Sequence, residues 1–363
     1  MPNYDVAIVG AGPAGSATAL RLARTGARVL LLERSHFERP RVGESLSPDI
    51  NPLLHDLGIE LTGAQPAYGI RSHWGGPAAN SNLFNPYGTG WYVDRAAFDR
   101  HLAERAAAAG ADLRENTACL NVVHDVSWTL TLATGATTTA TTLVDATGRT
   151  ARIGRQLGAE RIAFDRLVAV TAFVPATDPG GFGLVETVPE GWCYSAPAGA
   201  GRLVAMVLTD ADLGRDASLT TPERWRATLG PETAARLADA GITDLHVVSA
   251  ASQRLHRPTI DAAWLAVGDA AMAQDPITGT GVVRALRAAK SAAETVLGGE
   301  PLRTGPVPPA PGTPERDRFA AYETALDRET TTYLHRRATY YAAETRWPTA
   351  PFWQRRLRTL TAR

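Results

Sequence analysis

The chain has 363 residues, 44% hydrophobic and 20% charged, and its 37 basic and 37 acidic residues cancel to a net charge of zero. That length fits about two domains around a sizeable core, and the neutral balance argues against nucleic-acid binding by general electrostatics. The two cysteines, Cys119 and Cys193, form no CxxC pair, which removes a disulfide scaffold, a cysteine-rich zinc site and a dithiol redox centre, so no metal is expected.

No run of about 18 apolar residues offers a membrane span. The N-terminus carries no basic segment or cleavage site and opens directly on a strand, Tyr4 to Val9, which points to a cytoplasmic protein. A helix follows from Pro13 to Thr25, with Ala17, Leu20, Leu22 and Ala23 as packing positions and Gly26 as its stop. Arg28 to Glu33 is the next strand. Asp94 to Ala109 reads as a helix ending at Gly110. Thr129 to Thr142 reads as a hairpin turning at Gly135, and Leu143 to Ala146 as a short buried strand. From residue 164 to 250, short apolar stretches separated by Gly and Pro predict an antiparallel sheet, with an inserted helix over 222–239. Trp264 to Val267 returns as a buried strand, and a helix runs from Gly281 to Leu297. Residues 298–314, rich in Pro and Gly, read as a linker, and 315–363 as a helical tail full of Arg and aromatics.

Two constellations carry chemistry. The first is Gly10-x-Gly12-x-x-Gly15, placed between a strand and a helix, with Glu33 ending the next strand 18 residues after Gly15. Gly10 permits the tight turn, Gly12 lets the backbone approach a pyrophosphate, and Gly15 lets the helix pack on the sheet. Pro13 and Ala14 open the helix whose N-terminal amides and positive dipole end face the phosphates. Glu33, with Arg34 beside it, is placed to take the ribose hydroxyls. This pattern predicts dinucleotide binding without separating NAD from FAD.

The second constellation makes that separation. Gly268-Asp269 follows the strand Trp264 to Val267, and Asp275-Pro276-x-x-Gly279-Thr280-Gly281-Val282 opens the next helix. A carboxylate at a strand end suits ribityl hydroxyls. A glycine-rich helix N-terminus suits the pyrimidine edge of an isoalloxazine, stabilising the anionic reduced flavin.

With both ends in place, the chain resembles the flavin-dependent monooxygenase and halogenase superfamily, which shares its fold with p-hydroxybenzoate hydroxylase. The likeness extends through Arg41-Val42-Gly43-Glu44-Ser45-Leu46, similar to the GES loop of flavin-dependent halogenases, through Asp94-Arg95-x-x-Phe98-Asp99, and through Asp145-Ala146-Thr147-Gly148. The resemblance implies that Arg41, Gly43, Ser45, Arg95, Asp145, Ala146 and Gly148 join the two constellations in holding FAD. The tail from Tyr340 to Arg356 is similar to a narrower branch, the flavin monooxygenases that hydroxylate a tryptophan of a partner protein to mature quinone cofactors of amine dehydrogenases and amino-acid oxidases.

The implied fold is α/β: a Rossmann-type FAD-binding domain (three-layer ββα) interleaved with an antiparallel substrate sheet, ending in a helical tail. Residues 1–65, 90–163 and 251–297 are expected in the FAD domain, 66–89 and 164–250 in the substrate domain, 298–314 in the linker and 315–363 in the tail.

Halogenases of this superfamily pass hypochlorous acid to a lysine in a stretch that follows the GES loop. The corresponding stretch here, Arg71 to Pro77, has none, and Lys290 is the only lysine of the chain. The halogenase WxWxIP pattern is echoed only in part by Trp192-Cys193-Tyr194-Ser195-Ala196-Pro197. The expected activity is therefore FAD-dependent hydroxylation of an indole or phenol by way of a flavin C4a-hydroperoxide formed with O2. The substrate is an aromatic small molecule or a tryptophan in a peptide or partner protein. The alternatives are a halogenase with a non-standard site, an FAD-dependent dehydrogenase or reductase similar to the geranylgeranyl reductases, and a non-catalytic flavin-binding partner. Trp74, Trp91, Trp192 and Tyr194 are expected to line the substrate pocket. His73 and Glu44 are the candidate acid–base residues. No second GxGxxG occurs, so electrons are expected from transiently docked NAD(P)H or a separate flavin reductase.

Overall fold

The structure is a computed structural model and describes residues 2–361 except 83, 177–179, 239, 258, 261–263 and 299–313. The linker expected over 298–314 lies outside the described residues, save Gly298, which ends a helix, and Pro314, which starts one.

Strands such as Val29–Leu32, with every residue buried, cannot lie at a wet surface and must be covered on both faces. They form the parallel spine of an eight-stranded sheet. Its order is Trp264–Ala266, Thr137–Asp145, Tyr4–Val9, Val29–Leu32, Asp112–Arg114. Trp128–Leu132 pairs antiparallel with the long strand Thr137–Asp145, and Cys119–His124 pairs antiparallel with Trp128–Leu132. The hairpin and the short buried strand read separately in the sequence are thus continuous. The first half of Thr137–Asp145 pairs with the hairpin partner and the second half with the spine. Helix Pro13–Ala23 packs against Arg95–Ala108 and Gly281–Leu297. Buried alanines at 14, 17, 19, 285, 289, 292 and 293 permit that close approach.

The second layer is a seven-stranded sheet ordered His246–Ser249, Leu167–Pro175, Arg202–Asp210, Gly191–Pro197, Phe182–Val188, Gly69–His73, Pro77–Ser81. All its pairings are antiparallel except Phe182–Val188 with Gly69–His73. A three-stranded sheet pairs Gly90–Tyr92 antiparallel with both Ser45–Leu46 and Gln65–Ala67.

The helix expected over 222–239 is instead two short helices, Pro222–Ala227 and Pro231–Arg236. Pro231 has no N–H to give and disfavours a helical residue before it, so the chain breaks at Gly230-Pro231. Trp225 from the first of them is fully buried on the outer face of the sheet and donates its Nε1–H to Val170 O at 2.8 Å. The inner face is covered by the tail, helices Pro314–Ala342 and Pro351–Thr361, through Tyr341, Phe352 and Trp353.

Candidate active site

The carboxyl ends of the parallel strands meet the N-termini of two helices, the arrangement that leaves a binding crevice in open α/β sheets. At the first, Gly10 takes φ +108°, and a Cβ there would lie 2.3 Å from Ala146 O. A Cβ on Gly15 would lie 1.9 Å from Gly10 O. Gly12 caps helix Pro13–Ala23 without a capping side chain, and nothing stands within 4 Å of where its Cβ would be. Two of the three glycines are therefore needed by the backbone, and the third faces open space. Glu33 accepts from Ala11 N at 3.1 Å through Oε2, and from Ser35 N and Oγ at 3.1 and 2.7 Å through Oε1. Arg34 is exposed beside it.

At the second helix, a Cβ on Gly268 would meet Ala14 Cβ at 2.6 Å, so the two constellations, distant in sequence, touch. Asp269 is half-buried between Arg284 and Arg149, whose Nε is 3.4 Å away. Asp275 caps the turn Pro276–Thr278 by accepting from Ile277 N at 3.0 Å. Pro276, Gly279 and Gly281 are exposed, and added Cβ atoms at both glycines would meet nothing. Thr280 precedes helix Gly281–Leu297 without capping it, and Val282 is buried. Open glycine edges at two uncapped helix starts suit an extended dinucleotide lying along the crevice, so the residues present fit FAD.

The loop Arg41–Leu46 is fixed by buried ion pairs. Arg95 donates to Val42 O and Gly43 O, both at 3.0 Å, and pairs with Asp99 at 3.1 Å. Arg41 pairs with the same Asp99 at 3.1 Å and lies 3.9 Å from Glu33. Burial pushes the Asp99 carboxyl up, against the pull of both guanidiniums. Arg95 and Arg41 thus hold the loop and Asp99.

Three expected site residues take other roles. Asp145 spends both oxygens locally: Oδ1 accepts from Thr147 N and Oγ1 at 2.9 and 2.6 Å, and Oδ2 from Gly154 N at 2.8 Å. It caps the strand end, its neighbours Ala146 and Thr147 form the wall behind Gly10, and Gly148, at φ +66°, begins the turn Gly148–Thr150. Trp91, on strand Gly90–Tyr92, donates to Asn51 Oδ1 at 2.7 Å on the helix Ile50–Leu57. His73 pairs in register with Glu186, whose carboxylate holds Thr233 N on the outer face. The His73 Nε2 lies 2.9 Å from Glu232 Oε1 on the same face. Strand alternation therefore turns His73 away from the flavin side, and a base acting there cannot be His73.

Glu44 does lie on that side. It is 1% exposed, accepts from Tyr194 Oη at 2.6 Å and from Gly43 N at 2.9 Å. Burial pushes its carboxyl above the ordinary range and holds the Tyr194 phenol well above its own. Trp74 and Trp192 face the same way, but the tail fills the space before them. Trp74 stacks edge-on against Trp192, Tyr341 and Trp353 at 5.9, 5.5 and 5.5 Å between ring centres.

Sequence reasoning missed the tail residues that reach this region. Tyr333, Arg337 and Tyr341 all converge on Asp275. Their spacing of four was legible as one helical face, but not its target. Lys290 is exposed on helix Gly281–Leu297. Among the described residues no group of acidic, His or Cys side chains is arranged to hold a metal ion, and no helix is long and apolar enough to cross a membrane.

This crevice and its two-layer setting define an FAD-binding oxidoreductase fold. The sequence profile of the family described as "FAD binding domain" matches residues 3–295, and the chain belongs to that family. It is similar to "Putative FAD-dependent oxidoreductase LodB" of Marinomonas mediterranea, 29% identical over 374 aligned positions that cover 98% of this chain and 97% of that protein. Among solved structures it is similar to the flavin-dependent halogenase CmlS, with a TM-score of 0.84 and 26% identity over 98% of this chain and 68% of that one. It is also similar to the peptidyl tryptophan dihydroxylase QhpG, essential for tryptophylquinone cofactor biogenesis. That match has a TM-score of 0.75 and 27% identity over 97% of this chain and 78% of that one.

Proposed function

We propose that the protein is an FAD-dependent monooxygenase that hydroxylates an indole or phenol ring, and that its substrate is a tryptophan carried in a peptide or partner protein. The observation that carries this reading is the position of the only lysine. Lys290 is exposed on helix Gly281–Leu297, and the stretch from Arg71 to Pro77 contains none. A halogenation route that hands an oxidised halide to a lysine amine has no amine on the aromatic face. The fold likeness to CmlS is shared by both chemistries, so it does not favour halogenation. The peptidyl substrate is supported by the likeness to QhpG, a peptidyl tryptophan dihydroxylase.

In this reading the helix start at Gly12, Ala14 and Gly15 takes the pyrophosphate, Glu33 the adenosine ribose, Asp269 the ribityl chain and the turn Pro276–Gly281 the ring. Reduced FAD, fed by NAD(P)H or a separate flavin reductase, supplies the electrons that activate O2. The protein's part is to exclude water and orient the ring. Tyr194, partly buried on the same face of the sheet, offers an aromatic ring for that purpose, while Trp74 and Trp192 pack against the tail behind it. Glu44, bonded to Tyr194 Oη, is a buried carboxyl on that side and can hold a proton there.

The test incubates the FAD-loaded protein with NAD(P)H, a flavin reductase, O2, bromide and a panel of tryptophan peptides, free indoles and phenols. Mass spectrometry should find one added oxygen that derives from labelled O2, with wild-type turnover retained in Lys290→Arg. A brominated product abolished in Lys290→Arg overturns the reading in favour of a halogenase. A substrate reduced or desaturated without O2 uptake overturns it in favour of a reductase or dehydrogenase.

A further inference from the structure

The long tail helix Pro314–Ala342 presents Tyr333, Arg337 and Tyr341 at positions four apart, which places them on one face. All three are buried, at 5, 7 and 1% exposure. They engage one residue from three directions. Asp275 N donates to Tyr333 Oη at 2.8 Å, Arg337 Nε lies 3.5 Å from Asp275 Oδ2, and Tyr341 Oη donates to the same oxygen at 2.6 Å. Asp275 is itself fully buried, and its other oxygen caps the turn that runs into Gly279 and Gly281.

The contacts around this point are built rather than incidental. Ser252 Oγ shares a hydrogen bond with Tyr333 Oη at 2.6 Å, and Arg337 pairs with Asp165 at 2.8 Å. Trp192, on the sheet's aromatic face, donates its Nε1–H to Tyr341 Oη at 3.3 Å. One phenol therefore bonds both the Pro276–Gly281 turn, through Asp275, and the wall that faces it. The exposed edge of the turn is free of tail atoms near Gly279 and Gly281, so the tail grips the turn from behind and leaves its open side clear.

We propose that Tyr341, with Tyr333 and Arg337, is a positioning residue for the flavin: the tail helix sets the Pro276–Gly281 turn through Asp275 and ties it to Trp192. The C-terminal segment is then part of the flavin site rather than an appendage to it. A buried carboxylate bonded by Arg337 and Tyr341 as well as by its own cap, with its backbone N–H held by Tyr333, fixes its loop far more tightly than one left to the cap alone, because each bond lost in a dry site leaves a polar group unpaired. The inference rests on the reading that this turn faces the isoalloxazine.

The test compares Tyr341→Phe, which deletes the hydroxyl and keeps the ring, with Tyr322→Phe on the same helix. The Tyr322 hydroxyl is also buried, but it bonds Ala266 O at 2.8 Å and not the turn. FAD affinity is measured by titrating the apoprotein, alongside the visible flavin spectrum and the melting temperature. Tyr341→Phe should weaken FAD about tenfold and alter the flavin absorption band, while Tyr322→Phe lowers only the melting temperature. Tyr333→Phe, which leaves the aromatic cluster intact, serves if Tyr341→Phe does not fold. Wild-type FAD affinity and spectrum in both phenol deletions overturn the tether. Gly281→Ala separates the two claims, since Gly281 has no left-handed φ and its methyl would meet nothing on the open side of the turn. If it weakens FAD while Tyr341→Phe does not, only the tether fails. If neither change affects FAD, the turn does not face the flavin and both fail.

Discussion

Replacing Gly12 by alanine separates a glycine kept for a ligand from glycines kept for the fold. Gly12 has φ −71°, which any residue adopts, and its Cβ would meet no atom within 4 Å. The apoprotein should therefore keep its stability to within about 0.5 kcal/mol. The added methyl stands at the start of helix Pro13–Ala23, where the pyrophosphate must approach the amides. Loss of two charge-assisted N–H bonds, each about 1.5–3 kcal/mol, is about 3–6 kcal/mol, or roughly a hundred- to ten-thousand-fold in FAD affinity. Gly15→Ala behaves otherwise. Its Cβ would lie 1.9 Å from Gly10 O and 2.9 Å from Ala146 Cβ, both backbone-anchored. The helix start must shift by about 1 Å, an overpacking cost of roughly 1–3 kcal/mol, and the melting temperature should fall by roughly 1–4 °C as binding is lost. Calorimetric melting of the two apoproteins and FAD titration by flavin fluorescence read the pair. Wild-type affinity in Gly12→Ala, or a melting loss there as large as in Gly15→Ala, would refute the assignment of the crevice to the cofactor.

Because His73 is turned to Glu232 on the outer face, His73→Gln should keep kcat/KM within about threefold, where removal of a general base costs roughly a hundredfold or more. Steady-state turnover decides it. Burial pushes the Cys119 thiol to about 11 and the Cys193 thiol to about 12, so a disulfide reagent at pH 8 should label neither until urea unfolds the chain. Glu344 titrates near 2 instead of 4.5: burial alone would raise it, but hydrogen bonds from Arg346, Thr187 and Gly75 outweigh that. A carboxyl depressed in the folded state adds stability above its unfolded value and loses it as the pH falls through the folded one. Glu344→Gln should therefore melt lower than the wild type at pH 7, and the gap should narrow as the pH drops below about 4.5. A gap of constant size down to the acid limit would sink the idea.

The parallel spine and its first helix were legible because both rest on local rules. A strand buried on both faces reads as an unbroken apolar run, and the spacing of Gly10, Gly12 and Gly15 encodes contacts within one turn. Residue roles that depend on partners far along the chain were not legible. Asp145 had the type and place of a cofactor ligand, yet an aspartate at a strand end serves equally well as a cap, and Thr147 and Gly154 claim it. Tyr333, Arg337 and Tyr341 announced a helical face, but their common target sits across residues 299–313, and no local pattern points to Asp275. The aromatic wall was read as a pocket from its residue types, while the tail packs against Trp74 and Trp192. His73 and Trp74 show the cause at adjacent positions. The strand Gly69–His73 ends by sending the imidazole to Glu232, and the next residue sends its indole into the tail cluster. Either assignment satisfies alternation. Only the parallel register that sets His73 against Glu186 decides between them, and that register is fixed by the fold.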